Sequence, residues 1–455
     1  MSHLAINPTT GQTIAAHEEL SPKQMRAAIT EAHQAYLRWR RVPIAARAVL
    51  MRAAARILRE RAEPFAELMA REMGKPLVQG RGEVEKCAWV CEYYAEQAEG
   101  FLAPEMIATD ATRSYVTYRP IGLILAIMPW NFPFWQVFRF AAPAMMGGNG
   151  ALLKHAPNVP GCALAIEQVF RDAGFPVGLF RTLVISVGQT KTVIRHRHVA
   201  AVTLTGSTAA GKAVAKEAGA RLKKCVLELG GSDPYLILED ADLDLAIEAC
   251  ATSRLLNSGQ SCIAAKRFLV VESLRVEFER RFVERMRKVQ MGDPMKPGTD
   301  LGPQARADLR DRLHEQVQRS VARGARVLLG GTIPPGPGFF YPPTVLTDVK
   351  KGMAAYSEEF FGPVASIIPV KNAKAALRVA NDTAFGLGAA VFTADAARGE
   401  RIAAEEIEAG ACFVNAFVRS DPRLPFGGIK QSGFGRELAR HGLLEFQNAK
   451  TVYVR

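Results

Sequence analysis

Cysteine is scarce in this sequence: seven residues in 455, an odd number, with no Cys-x-x-Cys pair and no Cys/His cluster at zinc spacing. That argues against a disulfide-built scaffold and a metal centre, and it suits a reducing compartment, so a cytoplasmic location is expected. Long apolar runs are missing as well. The longest candidate, Ile121 to Trp130, falls far short of the roughly 20 residues of a membrane-spanning helix and runs straight into Asn131. The opening Met-Ser-His-Leu-Ala-Ile-Asn-Pro has no basic segment followed by an apolar stretch, so a secretory signal is not expected. There is no internal repeat and no low-complexity tract.

Acidic residues are also in deficit, 45 against 58 Lys plus Arg, for a formal net charge of +13. An excess of this sign allows nucleic acid, a phosphorylated cofactor or a carboxylate substrate as partner. Arg52, Arg56, Arg59 and Arg61 form a basic stretch, but Glu60, Glu63, Glu67 and Glu72 interleave with them. The stretch reads as a solvated helix face rather than a nucleic-acid surface, and no recognised nucleic-acid motif accompanies it. What is present is ordinary globular material, 48% hydrophobic and 23% charged, enough for two to four domains at about 100–200 residues each.

The first hundred residues read as helices. Ser21-Pro22-Lys23-Gln24 offers a capping box, with Met25, Ile29, Ala32 and Tyr36 at helical spacing behind it. A second pattern runs from about Ala45 through Met73 and stops at Gly74-Lys75-Pro76. From about Ser114 short β-rich runs alternate with helical ones: Tyr115–Tyr118, Ile121–Ile127, Ala151–Lys154, Ala200–Leu204, Cys225–Leu227, Tyr235–Leu238, Phe268–Val271, Val327–Leu329 and Ile367–Val370. Alternation of this kind predicts an α/β fold around parallel sheets, with ligands at the carboxyl ends of the strands. Gly331 to Gly338 reads as a surface loop.

Four stretches carry possible chemistry, and each has a plain structural reading beside it. In Asn257-Ser258-Gly259-Gln260-Ser261-Cys262 a thiol stands among small and polar residues, open to a substrate, although free cysteines more often pack as small hydrophobes. Cys225-Val226-Leu227-Glu228-Leu229-Gly230-Gly231 ends an apolar strand on one Glu. That residue is a general base if desolvated and an ordinary surface carboxylate if not. Asn131, wedged in Pro129-Trp130-Asn131-Phe132-Pro133, is an oxyanion donor or a satisfied turn residue. Thr205-Gly206-Ser207-Thr208 follows a strand and opens a helix, a phosphate site or a simple cap.

The order and spacing of these stretches resemble the aldehyde dehydrogenase superfamily over nearly the whole chain. The Pro-Trp-Asn-Phe-Pro, Thr-Gly-Ser, Leu-Glu-Leu-Gly-Gly, Gly-Gln-Ser-Cys, Glu-Glu-Phe-Phe-Gly-Pro (358–363) and Pro-Phe-Gly-Gly-Ile-Lys-Gln-Ser-Gly (425–433) blocks stand in the family's order. The resemblance implies a Rossmann-like cofactor domain (1–107 and 121–228), an α/β catalytic domain (229–435) and a small β oligomerisation segment (108–120 and 436–455). It implies Cys262 as nucleophile, Asn131 as oxyanion donor together with the Cys262 N–H, and Glu228 as base for thioester hydrolysis. Trp130, Lys154, Gly206, Ser207, Glu359 and Phe361 match cofactor-binding positions. Many NAD-preferring relatives have a Glu after Lys-Pro-Ser/Ala; here the stretch reads Lys154-His155-Ala156-Pro157, so both NAD and NADP are expected to work.

The wording of the blocks is most similar to the bacterial short succinate-semialdehyde dehydrogenases. Arg139 and Ser420 match positions that bind the distal carboxylate in such enzymes. Their second arginine is replaced by Leu256, with Arg419 as a candidate substitute. The resemblance thus implies oxidation of succinic semialdehyde, with glutarate semialdehyde or aliphatic aldehydes as the alternative. An ion-pairing role for Arg139 within a helix stays open. The Tyr115–Tyr118 and Thr451–Val454 runs look like the family's oligomerisation strands, which implies a homodimer or homotetramer. A basic nucleic-acid-binding or purely structural protein is the non-enzyme alternative, and neither nucleic acid nor membrane is an expected partner.

Overall fold

The computed structural model describes residues 2–455. It opens with a correction to the all-helical reading of the N-terminus. Ser2–Ile6 pairs antiparallel with Thr13–Glu18. Between them Asn7 caps the turn, its side chain accepting from the Thr9 N–H and its carbonyl from Gly11, whose φ of 75° suits glycine.

The helix Pro22–Trp39 starts at the expected capping box and buries Met25, Ile29, Ala32 and Tyr36. The single pattern expected from Ala45 to Met73 is two helices, Ile44–Glu60 and Ala62–Met73, broken at Arg61 with φ −112° and ψ 24°. Pro64 explains the break, because its ring opposes the carbonyl four residues back, that of Glu60. Gly74, left-handed at φ 79°, ends the second helix. The arginine face is largely paired: Arg56 lies 3.5 Å from Glu60, Arg59 2.8 Å from Glu85, and Arg61 2.6 Å from Asp172. Glu72 departs from the solvated reading. It is buried and accepts the Gly161 and Cys162 N–H groups at the start of the helix Pro160–Asp172.

Two sheets organise the rest. The first has six strands in the order Gly433–Phe434, Lys224–Glu228, Val199–Thr205, Leu123–Met128, Gly150–His155, Phe180–Thr182. All are parallel except the short Gly433–Phe434 edge. The earliest strand lies in the middle, so the winding reverses between Leu123–Met128 and Val199–Thr205, the crevice where doubly wound sheets bind ligands. Alternation along that central strand is strict. Ile124, Ala126 and Met128 join a core shared with the N-terminal helices, while Leu123 and Leu125 join a second core beneath the opposite face.

The second sheet has seven strands, with Ala265–Val271 and Asp233–Ile237 near its middle and only the Arg326–Leu329 edge antiparallel. A third sheet joins Gln447–Val454, Arg113–Pro120 and Glu105–Met106. No helix among the described residues is long and apolar enough to cross a membrane, and all seven cysteines are free.

Candidate active site

Cys262 sits in the loop between the helix Leu243–Leu255 and the strand Ala265–Val271. Asn257, Ser258 and Gly259 in succession take left-handed backbone angles, with φ of 55°, 55° and 73°. Such a run for two non-glycine residues is disfavoured and persists only where surrounding contacts dictate it. Those contacts are abundant. Arg254 donates to the Gly259 carbonyl, Gln304 to that of Ser258, and the Gln260 side chain accepts from Ala305. A Cβ at Gly259 would come within 2.3 Å of Gly362, so the Gly-Gln-Ser-Cys and Glu-Glu-Phe-Phe-Gly-Pro blocks fit only as glycine against backbone.

Lys266, which sequence reasoning missed, holds the loop from below. Its buried ammonium donates to the carbonyls of Ser261, Cys262 and Ala264 at 3.1, 2.7 and 3.2 Å. Burial pushes the Cys262 thiol up to about 12, against the pull of nearby Arg139 and Lys266. At rest it is therefore a thiol and not a thiolate.

Asn131, at the loop after Leu123–Met128, is 3% exposed and donates to the Gln260 carbonyl at 3.0 Å, while its own backbone carbonyl accepts from Asn257. One amide N–H of Asn131 is left for a ligand. Glu228 ends its strand 2% exposed, with neither carboxylate oxygen hydrogen-bonded. Burial raises its pKa well above the usual carboxyl value, Glu437 adds to the rise, and Arg139 opposes it. Gly427 gives the carboxylate room, since a Cβ there would lie 2.8 Å from Glu228 Oε1. The distant block 425–433 reaches this point because Gly433 pairs with Glu228 across the sheet edge.

Two cavities meet at Cys262. The larger, about 600 Å³, runs along the strand ends past Trp130, Gly206, Ser207, Glu359 and Phe361. Ser207 caps the helix Thr208–Gly219, and Glu359 accepts from the Gly231 N–H at 3.0 Å. Phe361 stands edge-on to Trp130, ring centres 5.7 Å apart. Open backbone at a helix start, a carboxylate for hydroxyls and aromatic walls suit a dinucleotide. Lys154 lies at the neighbouring strand end, buried, but outside the lining of this cavity. Arg312, not singled out from the sequence, adds a cation to the wall.

The smaller cavity, about 240 Å³, is lined by Phe132, Trp135, Leu256 and Phe426, and by Arg139, Arg419 and Ser420. Here the structure qualifies the reading of Arg139. Its guanidinium is buried in an ion pair with Glu437, donates to Thr205 at 3.3 Å and stacks 4.8 Å from the Phe426 ring. Arg419 is exposed at the rim. Two further residues come from the helix Leu77–Phe101, which carried no visible site signal. Glu83 accepts the Phe134 and Trp135 N–H groups and so fixes the start of the helix that bears Arg139; Lys86 faces the cavity itself. Among the described residues no group of three or more His, Cys, Asp or Glu is arranged to hold a metal ion.

Comparison with known proteins follows this geometry. The aldehyde dehydrogenase family model matches residues 2–452. A probable succinate-semialdehyde dehydrogenase (NADP+) of Synechocystis sp. is 49% identical over 454 residues, covering 100% of both chains. A succinate semialdehyde dehydrogenase (NAD(P)+) of Escherichia coli is 48% identical over 99% of this chain and 97% of its own. The crystal structure of succinic semialdehyde dehydrogenase from Streptococcus pyogenes with NADP+ superposes with a TM-score of 0.97 at 36% identity, covering 99% of each chain.

Proposed function

The chain belongs to the aldehyde dehydrogenase family, and from that premise we propose that it oxidises succinic semialdehyde to succinate with NAD or NADP. The observation that carries the reading is that Cys262 lines both cavities, one suited to a dinucleotide and one ringed with cations.

Cys262 gives up its thiol proton to solvent as Sγ attacks the aldehyde carbon, giving a thiohemiacetal whose oxyanion is held by the Asn131 amide and the Cys262 N–H. The nicotinamide, when bound, supplies the hydride acceptor that turns this adduct into a thioester. Trp130, Gly206, Ser207, Glu359 and Phe361 are the residues that would hold it, with Lys154 flanking. Glu228 then takes a proton from the water that cleaves the thioester, releasing the acid and the free thiol. In that step a high-lying carboxyl pKa makes Glu228 a stronger base once it is deprotonated.

Pro157 occupies the place where a carboxylate would repel a 2′-phosphate, which supports use of NADP as well as NAD. Arg139, Ser420 and Arg419 are our sequence-derived residues for the substrate carboxylate. The apolar walls at Phe132, Trp135, Leu256 and Phe426 favour, as second reading, a broader enzyme for glutarate semialdehyde or aliphatic aldehydes. Steady-state kinetics on semialdehydes and plain aldehydes, each with NAD and NADP, tests this. Succinic semialdehyde is expected to exceed butanal in kcat/KM by about tenfold or more, as one charge-assisted contact supplies; equal values would overturn the substrate assignment.

Sheet membership supports the division into a cofactor domain (1–107, 121–228), a catalytic domain (229–435) and a β segment (108–120, 436–455), except that Glu105–Met106 pairs within the sheet of the β segment and Gly433–Phe434 within that of the cofactor domain. The segment's Gln447–Val454 edge is mostly exposed, as a strand awaiting a partner copy would be, and supports a homodimer or homotetramer. Seven free cysteines support a cytoplasmic location.

A further inference from the structure

The pocket beside Cys262 holds three cations, Arg139, Arg419 and Lys86, and they are not equivalent. Arg139 is already matched by the buried carboxylate of Glu437 and by Thr205. Arg419 is exposed, where water screens its charge. Lys86 is half-buried, makes no ion pair among the described residues, and lies 4.3 Å from the face of Trp135. Its Nζ donates to Ser420 Oγ at 2.7 Å. That bond uses a lone pair of the hydroxyl and leaves the Ser420 O–H free to donate.

We propose that Lys86 and Ser420 together form the clamp for the distal carboxylate of the substrate, with Lys86 the residue that sets preference for an ω-carboxylate aldehyde over a neutral one. The inference rests on the substrate reading above and names its specificity residue. An ammonium and a hydroxyl at hydrogen-bond distance from each other offer one donor to each oxygen of a carboxylate. The helix Leu77–Phe101 holds Lys86 rigidly. Glu83, one turn earlier, is fixed by Lys75 and by the Phe134 and Trp135 N–H groups, so it is not free to neutralise Lys86. Burial lowers the Lys86 pKa to about 8, as expected for a cation that lacks an anion in the free protein. A bound carboxylate restores that balance, whereas a neutral aldehyde leaves it unmet.

The test compares wild type, Lys86→Met and Lys86→Arg on succinic semialdehyde and butanal at saturating NADP, with thermal unfolding recorded for each. Lys86→Met is expected to lower the ratio of kcat/KM for succinic semialdehyde to that for butanal by about ten- to a hundredfold, the range of a lost charged hydrogen bond. The loss should fall mainly on KM for succinic semialdehyde, and Lys86→Arg should recover most of it. A ratio in folded Lys86→Met equal to that of wild type overturns the role of Lys86 and leaves the substrate reading standing. A wild-type ratio near one overturns the substrate reading and this inference with it. Should Lys86→Met fail to fold, Lys86→Gln, which retains a donor to Ser420, is judged by the same ratio.

Discussion

The two cavities that meet at Cys262 are built in different ways. The larger is made from the ends of successive strands and the turns that follow them: Pro129-Trp130-Asn131, Thr205-Gly206-Ser207 and Leu229-Gly230. One wall offers backbone amides and glycine space from these short contiguous motifs, and the other is closed by side chains of Arg312, Glu359 and Phe361. The smaller is made from side chains that converge from Gln79–Lys86, Phe132–Arg139, Leu256–Ile263 and Val418–Phe426. Its chemistry depends on how each charge is matched by its neighbours. The first cavity takes one wall from local turns; the second is a property of packing throughout.

Loss of the shared residue stops the chemistry while leaving the cofactor cavity able to bind. Cys262→Ala should lower kcat by about ten-thousandfold or more, the scale of a deleted nucleophile, while fluorescence titration still registers cofactor binding. Retained turnover would remove Cys262 from the chemistry. Glu228→Gln should lower kcat by about a hundred- to ten-thousandfold, yet keep a pre-steady-state burst of cofactor reduction, because only thioester hydrolysis needs the base.

The pH profile sharpens the same point. The Glu228 carboxyl pKa is raised, so the base is protonated at low pH and gains its charge as pH rises. The wild-type kcat should therefore fall with decreasing pH through a midpoint well above 4.5, and the deacylation limb should vanish in Glu228→Gln.

On the packing-built side, Arg139→Ala strands the buried carboxylate of Glu437. About 3–5 kcal/mol of stability should be lost, read as a lower urea midpoint, beyond any change in substrate preference. If preference in kcat/KM is unchanged in that variant, Arg139 serves the fold rather than the substrate. The smallest effect belongs to the turn-built side. Ser207→Ala removes the cap at Ala210 and should cost about 1 kcal/mol of folding stability, read as a lower urea midpoint, together with a raised KM for cofactor. An unchanged KM would detach that helix start from cofactor binding.

This contrast explains what could be read in advance. The strand runs were legible because alternation of apolar residues reports burial on two faces, and Leu123 to Met128 divide between two cores as that period requires. The capping box at Ser21 was legible because its two hydrogen bonds are local. The N-terminal hairpin escaped notice because its strands are half-exposed and carry weak alternation. The break at Arg61 was written in Pro64, yet the apolar periodicity on either side masked it.

By itself the sequence determined the α/β fold, the family and the thiol, amide and carboxylate blocks, because those signals lie in short segments whose local geometry fixes their backbone. Only the tertiary structure decided that Arg139 is matched by Glu437, that Lys266 cradles the Cys262 loop, and that Lys86 faces the smaller cavity with no ion pair among the described residues. Whether a charge is free or neutralised depends on which residues, often hundreds of positions away, share its burial, and no local pattern encodes that.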